Sequence, residues 1–379
     1  MTKIVYFNEG SSLYDYFFLK HLSKQFDIVF VSFNSNSKYL PKRISFVKLP
    51  TLIKHLPIHD SPRIYLMTPF NVLLLKRALS SIKPHFLIGC NGLYYGFYAA
   101  LSKFKPFILF IWGSEVLVWP KFFFLRALVK HSIKKADLVL VDSFIQYKAC
   151  VALGCNPDKI VVIPWLDSKE MEENVKKARE EKDVFRKIFG WKPNDIVVIS
   201  TRWHEKIYNI ETLIKSIPIV IQNVPNIRFL LLGKGSLTSK LIGMVREMGL
   251  DEVVRFIGTV PHDKIFYYLR NSDIYVSTSL SDGTSASLLE AMITGLACVV
   301  SDIPGNREWI IDGVNGLLFP AKNHIKLAQK IIFLAKDNEL RKKLGENAIT
   351  TVRKRADWEN NSKTLYEKLV NLLRIYGKA

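Results

Sequence analysis

Asp282 and Glu290 stand eight positions apart in "SDGTSASLLEAMITGLACVVSD" (281–302), the first in a Gly-Thr-Ser turn, the second in an apolar helical run. Glu290 lies between Leu288–Leu289 and Ala291–Met292, and a carboxylate there is costly unless something hydrogen-bonds it. Three other segments carry complementary groups. "STRWHEK" (200–206) supplies the cations Arg202 and Lys206, "GKG" supplies Gly233 and Gly235, and "GTVPH" (258–262) supplies Gly258, Thr259 and Val260. Glycines let a ligand approach the backbone closely, and the free N–H groups that open the Glu290 helix favour an anion. Such a set at one sheet edge describes a pocket for a diphosphate attached to something bearing hydroxyls.

Plainer roles exist for each residue. Asp282 is a candidate helix cap, Glu290 has the option of turning outward, Arg202 and Lys206 of being solvated surface charges, and the glycines of being turn residues. Their recurrence at the ends of successive strands favours the pocket.

The elements that must position these groups are short apolar strands alternating with helical patterns. Strands are predicted at 3–7, 27–33, 86–90, 107–112, 137–143 and 159–165, with a first helix over Leu13–Gln25. Residues 167–195 interrupt the rhythm with dense mixed charge, and strands resume at 196–201, 227–233, 253–258, 273–278 and 297–302. Continuous apolar strands between helices imply parallel sheets covered on both faces. The expected class is α/β, with two doubly wound Rossmann-like domains, the first over 1–166 and the second over 167–355. An amphipathic helix over 356–379 either packs locally or returns to the first domain. Ligands of such sheets bind beyond the carboxyl ends of the strands, and two facing domains leave a central cleft.

At 379 residues the chain is long for one core, and two domains are the natural expectation. The formal charge of +20 implies an anionic partner, whether nucleic acid, an acidic lipid surface or phosphorylated substrates. Cys90, Cys150, Cys155 and Cys298 show no paired spacing and read as buried residues of a reducing compartment. The N-terminus reads as a strand rather than a signal peptide, and the uncharged run 86–102 is broken by Asn91 and three glycines. A cytoplasmic protein, free or on the inner face of a membrane, is expected. No phosphate-loop, nucleophile-elbow or H-E-x-x-H motif occurs. "HLPIH" (55–59) has Pro57 between its histidines, and the absence of any D-x-D removes the usual carboxylate pair for a divalent ion. Neither a metal nor a cofactor is expected.

With these residues in place the chain resembles the GT-B glycosyltransferases, specifically glycosyltransferase family 4, which implies that 1–166 is an acceptor domain and 167–355 a nucleotide-sugar domain. That family's signature is E-x7-E followed by "LLEAMA-G-PVV-S"; here it reads "DGTSASLLEAMITGLACVVSDIPGNREWIIDGVNGLLF". "VIPWLD" (162–167), "RWHEKIYNIETLI" (202–214) and "IWGSE" (111–115) resemble the family's linker, phosphate and first-domain segments. The resemblance implies that Glu290 accepts hydrogen bonds from ribose hydroxyls, so that ligand satisfies its carboxylate, and that Asp282 faces the transferred sugar. It implies that Gly283, Thr284, Ser285 and Ala286 lie near sugar and phosphate, that Arg202 and Lys206 bind the diphosphate, and that residues 258–260 line the base. Gly10, in the turn after the first strand, joins the substrate-binding set. Asp282 stands where the family has Glu, Tyr208 falls on the family's Lys position unless the loop is one residue longer, and Trp112 replaces a His.

The implied activity is a retaining, metal-independent transfer of the hexosyl type, from a nucleotide diphosphate sugar to a hydroxyl of a glycan or lipid-linked acceptor. A sugar-nucleotide epimerase, a catalytically dead sugar-nucleotide sensor and a basic nucleic-acid-binding protein are the rivals; no nucleic-acid-reading motif is present, so no nucleic acid is expected as partner. "VLVWPKFFFLRALVKHSIKK" (116–135) reads either as a core helix with a basic outer face or as an interfacial helix on an anionic membrane surface.

Overall fold

A computed structural model of the chain describes residues 1–10, 12–35, 39–50, 63–164 and 166–378. It divides into two compact units, Met1–Leu166 with Trp358–Ala379, and Asp167–Asp357. The histidines of "HLPIH" lie outside the described residues.

In the first unit a parallel sheet runs β3-β2-β1-β4-β5-β6-β7, from β1 (Lys3–Phe7), β2 (Asp27–Ser32), β3 (Ser45–Lys48), β4 (Phe86–Cys90), β5 (Phe107–Phe110), β6 (Leu138–Val141) and β7 (Ile160–Val162). In the second, the order is β10-β9-β8-β11-β12-β13, from β8 (Ile196–Ser200), β9 (Ile227–Leu232), β10 (Val254–Gly258), β11 (Ile274–Ser277), β12 (Ala297–Ser301) and β13 (Leu317–Phe319). Both sheets start in the middle and grow first to one side, then to the other. The loops that follow β8 and β11 therefore meet where the strand order reverses, the place at which doubly wound sheets bind ligands.

The first turn of the first unit is fixed by a capping box: the Asp15 carboxylate accepts from Ser12 N (2.8 Å) and Ser12 Oγ (2.6 Å), and also from Tyr6 Oη (2.6 Å) and Asn8 Nδ2 (3.0 Å). The final helix, Trp358–Ile375, packs within this unit. Its Trp358 ring stacks on His21 (4.9 Å between centroids) and meets Phe18 edge-on (5.9 Å). Beyond the helix, Tyr376 Oη donates to Asp137 (2.9 Å) and Lys378 Nζ to the carbonyl of Lys105 (2.8 Å).

Three differences from the sequence reading have simple causes. The strands β3 and β13 were not expected; they are edge strands of four and three residues, too short for a periodic signal. The segment 116–135 is not one helix, because Pro120 falls in a 3-10 turn, Trp119–Lys121, between short Ser114–Leu117 and long Phe123–Lys135 helices. The charged stretch after 167 forms two helices, Ser168–Lys177 and Lys182–Ile188, held in the second unit by Arg186, which donates to Asp273 (2.6 Å) and to the Asp195 carbonyl (2.7 Å). All four cysteines are free and buried. No helix among the described residues is long and apolar enough to cross a membrane.

Candidate active site

The loop after β8 turns through a 3-10 segment, Lys206–Tyr208, and is tied to the end of β11 by two bonds. Thr278 Oγ1 donates to the Tyr208 carbonyl (2.8 Å), and Leu280 N to the Ile207 carbonyl (2.8 Å). This brings Arg202 against the turn that opens the helix Ala286–Ile293. Arg202 Nη2 donates to Asp282 Oδ2 at 2.5 Å, and Nη1 donates to Ser285 Oγ and Ser287 Oγ, both at 2.6 Å. The guanidinium carbon lies 4.2 Å from the centroid of the Tyr208 ring. A cation at a helix N-terminus opposes the helix dipole; Asp282 offsets that charge, and Tyr208 offers it an aromatic face.

Arg202 is thus buried rather than a solvated surface charge, and both Nη atoms face protein oxygens. Asp282 is not the helix cap: Ser285 is, its Oγ accepting from Leu288 N. Burial pushes the Asp282 carboxyl above its ordinary range, while Arg202, Ser285 and the Gly283 N–H pull it back part of the way.

Glu290 is buried on the same helix, not turned outward. Its Oε1 pairs with His262 Nε2 at 2.6 Å, so the protein satisfies one carboxylate oxygen, which corrects the reading that ligand alone does so. Burial works against a charged His262, but the bond and the charge of Glu290 prevail, with Glu170 and Asp263 adding to them, and its pKa is raised.

The glycines of "GKG" serve a nearer partner than the expected ligand. A Cβ on Gly233 would lie 2.6 Å from the Arg202 carbonyl oxygen, and one on Gly235 would lie 2.5 Å from both Glu205 Oε1 and the His204 carbonyl oxygen. Only glycine lets this loop close on the Arg202 loop, and Glu205 completes the junction by accepting from Ser236 N (2.7 Å) and Ser236 Oγ (2.5 Å). Gly305 packs the other side in the same way, where a Cβ would lie 2.3 Å from the Asp282 carbonyl oxygen.

The structure therefore gathers Arg202, Asp282, Ser285 and the glycine loop into one constellation with Gly283, Thr284 and Ala286 on the same turn. Lys206 is exposed, with no ion pair among the described residues. Lys234, between the two glycines, is exposed as well, its side chain running against Gly258, whose φ is 78°. Thr259 is exposed and Val260 partly so. Gly10 belongs to the first unit, where its carbonyl oxygen lies 3.5 Å from Asn8 Nδ2. Trp112, also there, is 40% exposed on a turn clamped by the buried Glu115, whose carboxylate accepts from Trp112 N (2.7 Å) and Gly113 N (2.8 Å). Sequence reasoning missed His262, Ser287 and Lys234 as participants. Among the described residues, no group of three His, Cys, Asp or Glu is arranged to hold a metal ion.

The profile of the family described as glycosyl transferases group 1 matches residues 181–351, which include this whole constellation, and that of the glycosyl transferase 4-like family matches residues 3–143. The chain belongs to the group 1 glycosyltransferases. An uncharacterised glycosyltransferase of Methanocaldococcus jannaschii is 26% identical over 83% of this chain and 86% of its own. A second from that organism is 36% identical over 32% of each chain. The N,N'-diacetylbacillosaminyl-diphospho-undecaprenol alpha-1,3-N-acetylgalactosaminyltransferase of Campylobacter jejuni is 29% identical over 60% of this chain and 58% of its own. Among solved structures, the sucrose-phosphate synthase of Thermosynechococcus elongatus superposes with a TM-score of 0.83 over 99% of this chain and 100% of its own at 16% identity. HepE of Anabaena, in complex with UDP, superposes with a TM-score of 0.76 over 98% of this chain and 100% of its own at 17% identity. At such identities the likeness is one of fold, and the fold of this glycosyltransferase is GT-B.

Proposed function

We propose that this glycosyltransferase moves a hexosyl group from a nucleotide diphosphate sugar to a hydroxyl of a glycan or lipid-linked acceptor, with retention of configuration and without a metal ion. The observation that carries the reading is the Arg202–Asp282–Ser285 cluster at the strand-order reversal of the second sheet, with exposed Lys206 and Lys234 on the neighbouring loops. Related proteins support the substrate classes: HepE structures hold UDP and UDP-glucose, and the Campylobacter relative is named for a diphospho-undecaprenol acceptor. Such an acceptor suits a protein working at the inner face of a membrane.

In this reading Glu290, oriented by His262, receives the ribose hydroxyls, and residues 258–260 line the base. The diphosphate lies over the N–H groups of residues 283–286, and Lys206 and Lys234 meet the negative charge that grows as it leaves. Arg202 holds Asp282 toward the sugar hydroxyls. Retention rests on the family resemblance, and no residue is assigned as a covalent nucleophile.

The test is a thermal-shift panel of nucleotide sugars, followed by transfer assays with the donor found. A ligand at 100 times its Kd stabilises by about 2.7 kcal/mol, well within reach of such a panel. Transfer should survive excess EDTA, and the product anomer should match that of the donor. Abolition by EDTA with rescue by Mg²⁺ or Mn²⁺ would refute the metal-free mechanism, and an inverted product would refute retention.

A further inference from the structure

Residues 63–136 hold eleven Lys or Arg and a single acid, Glu115. Half of the chain's excess positive charge lies on this stretch, and its one carboxylate is buried beneath the Trp112 turn. Large apolar side chains stand exposed beside those cations: Leu66 at 78%, Phe122 at 49%, Phe123 at 88% and Phe124 at 57%. The three phenylalanines are consecutive in the chain, and the ring of Tyr65, the residue before Leu66, meets Phe124 edge-on at 5.6 Å.

The helix Phe123–Lys135 buries Val129, Ser132 and Ile133. Arg126, Lys130 and Lys134 follow one another at four-residue spacing on its exposed side. Lys121 Nζ lies 5.1 Å from the Phe122 ring centroid. A core helix with a basic outer face accounts for the cations but not for the phenylalanines at its start. Single exposed apolar residues are ordinary, whereas a contiguous group marks an interaction surface. Apolar side chains that enter the acyl boundary, flanked by Lys and Arg that meet anionic headgroups, are the makings of an interfacial anchor. A single-stranded nucleic acid would use aromatic rings for stacking, but Leu66 offers no face for a base.

We propose that this face docks the first unit on a bilayer containing anionic lipid, with Leu66 and Phe122–Phe124 among the acyl chains and Lys121, Arg126, Lys130 and Lys134 on the headgroups. It brings the protein to a lipid-linked acceptor and depends on the transfer reading for that purpose alone.

The experiment is co-sedimentation of the full chain with vesicles of phosphatidylglycerol and phosphatidylethanolamine in equal parts, against phosphatidylcholine vesicles, over a range of salt. Each cation at an anionic surface contributes about a fivefold gain in partitioning. The variant Arg126→Gln/Lys130→Gln/Lys134→Gln should therefore bind on the order of a hundredfold more weakly. Phe122→Ser/Phe123→Ser/Phe124→Ser should abolish the binding that survives high salt. All six positions are exposed, and an unchanged melting temperature checks that both variants fold. Equal binding to the two vesicle types, or wild-type binding by the phenylalanine variant, overturns the proposal. So does tight binding to RNA or duplex DNA at physiological salt without binding to vesicles. None of these readouts requires transfer activity, so failure of the docking face is separable from failure of the catalytic reading.

Discussion

Replacing Arg202 by alanine removes the group on which the Asp282 turn rests. Arg202 reaches Asp282 at 2.5 Å and Ser285 and Ser287 at 2.6 Å, and the side chains of the ion pair are only 8% and 18% exposed. Deleting one partner of a buried pair strands the other charge and costs about 3–5 kcal/mol. Asp282 has some access to water, and its carboxyl, already pushed up by burial, rises further without Arg202 and escapes in part by protonation. The lower figure, about 3 kcal/mol, is therefore expected. Adding Asp282→Asn removes the stranded charge, so the double variant should be more stable than Arg202→Ala alone. Urea unfolding of the full chain, followed at the transition that Arg202→Ala shifts, gives the coupling energy of the cycle, expected at about 1–3 kcal/mol. Transfer kinetics then separate stability from chemistry. The kcat of Arg202→Ala should fall by roughly 100-fold, as misplacement of a substrate-positioning group does, and stay low in the double variant although stability returns. Effects additive to within about 0.5 kcal/mol would show that the two residues act independently and refute the reasoning.

His262→Gln should lose a charge-assisted bond to Glu290 worth about 1.5–3 kcal/mol. The pKa of His262 is raised in the folded protein, so this stability is complete below its unfolded value of about 6.5 and disappears as pH rises through the folded value. The melting-temperature gap between wild type and variant should narrow from acid to alkaline pH, and a flat gap would count against the pair. Trp358→Ala, at a buried position against Phe18 and His21, should destabilise the first unit by about 3–5 kcal/mol and leave the donor affinity of the second unaltered, as calorimetry would register. Lys206→Ala/Lys234→Ala should weaken nucleoside diphosphate binding at low salt far more than at high salt; an affinity loss independent of salt would mean that the two ammonium groups do not face the phosphates.

The strands flanking the site were legible because each is a largely apolar run ended by glycine or polar residues, as in "IVVIS" and "IRFLLL". The constellation at their ends followed, since a doubly wound order brings the loops after β8 and β11 together. What sequence could not give was which groups face each other within it. Asp282 and Arg202 each had a plausible solitary role, and their pairing depends on the Arg side chain crossing between loops 80 residues apart. The glycines signalled close approach correctly, but the approaching group is the Arg202–Glu205 backbone and side chain. His262 carried no signal, because a histidine after a proline at a helix start has no periodic relation to a glutamate 28 residues on. The phenylalanines at 122–124 were visible as composition, whereas their exposure depends on the break at Pro120 that ends one helix and starts the next.

The Arg202–Asp282 pair also decides where the site's positive charge resides. A guanidinium bonded at 2.5 Å to a carboxylate is close to neutral seen from outside the pair, and its remaining effect on a bound diphosphate is dipolar. In the proposed transfer, the net charge that meets a departing diphosphate is then that of Lys206, Lys234 and the N–H groups at the start of the Glu290 helix. Lysines are mobile point charges that adapt as phosphate charge grows, whereas the arginine's planar fork is held here by two serines and a carboxylate. Tyr208 fits this division of labour. Its ring lies under Arg202 at 4.2 Å, where a second cation would repel the guanidinium instead of supporting it. The buried arginine thus has an aromatic face and a carboxylate of its own, which in the proposed transfer leaves the phosphate-facing charge to the exposed lysines.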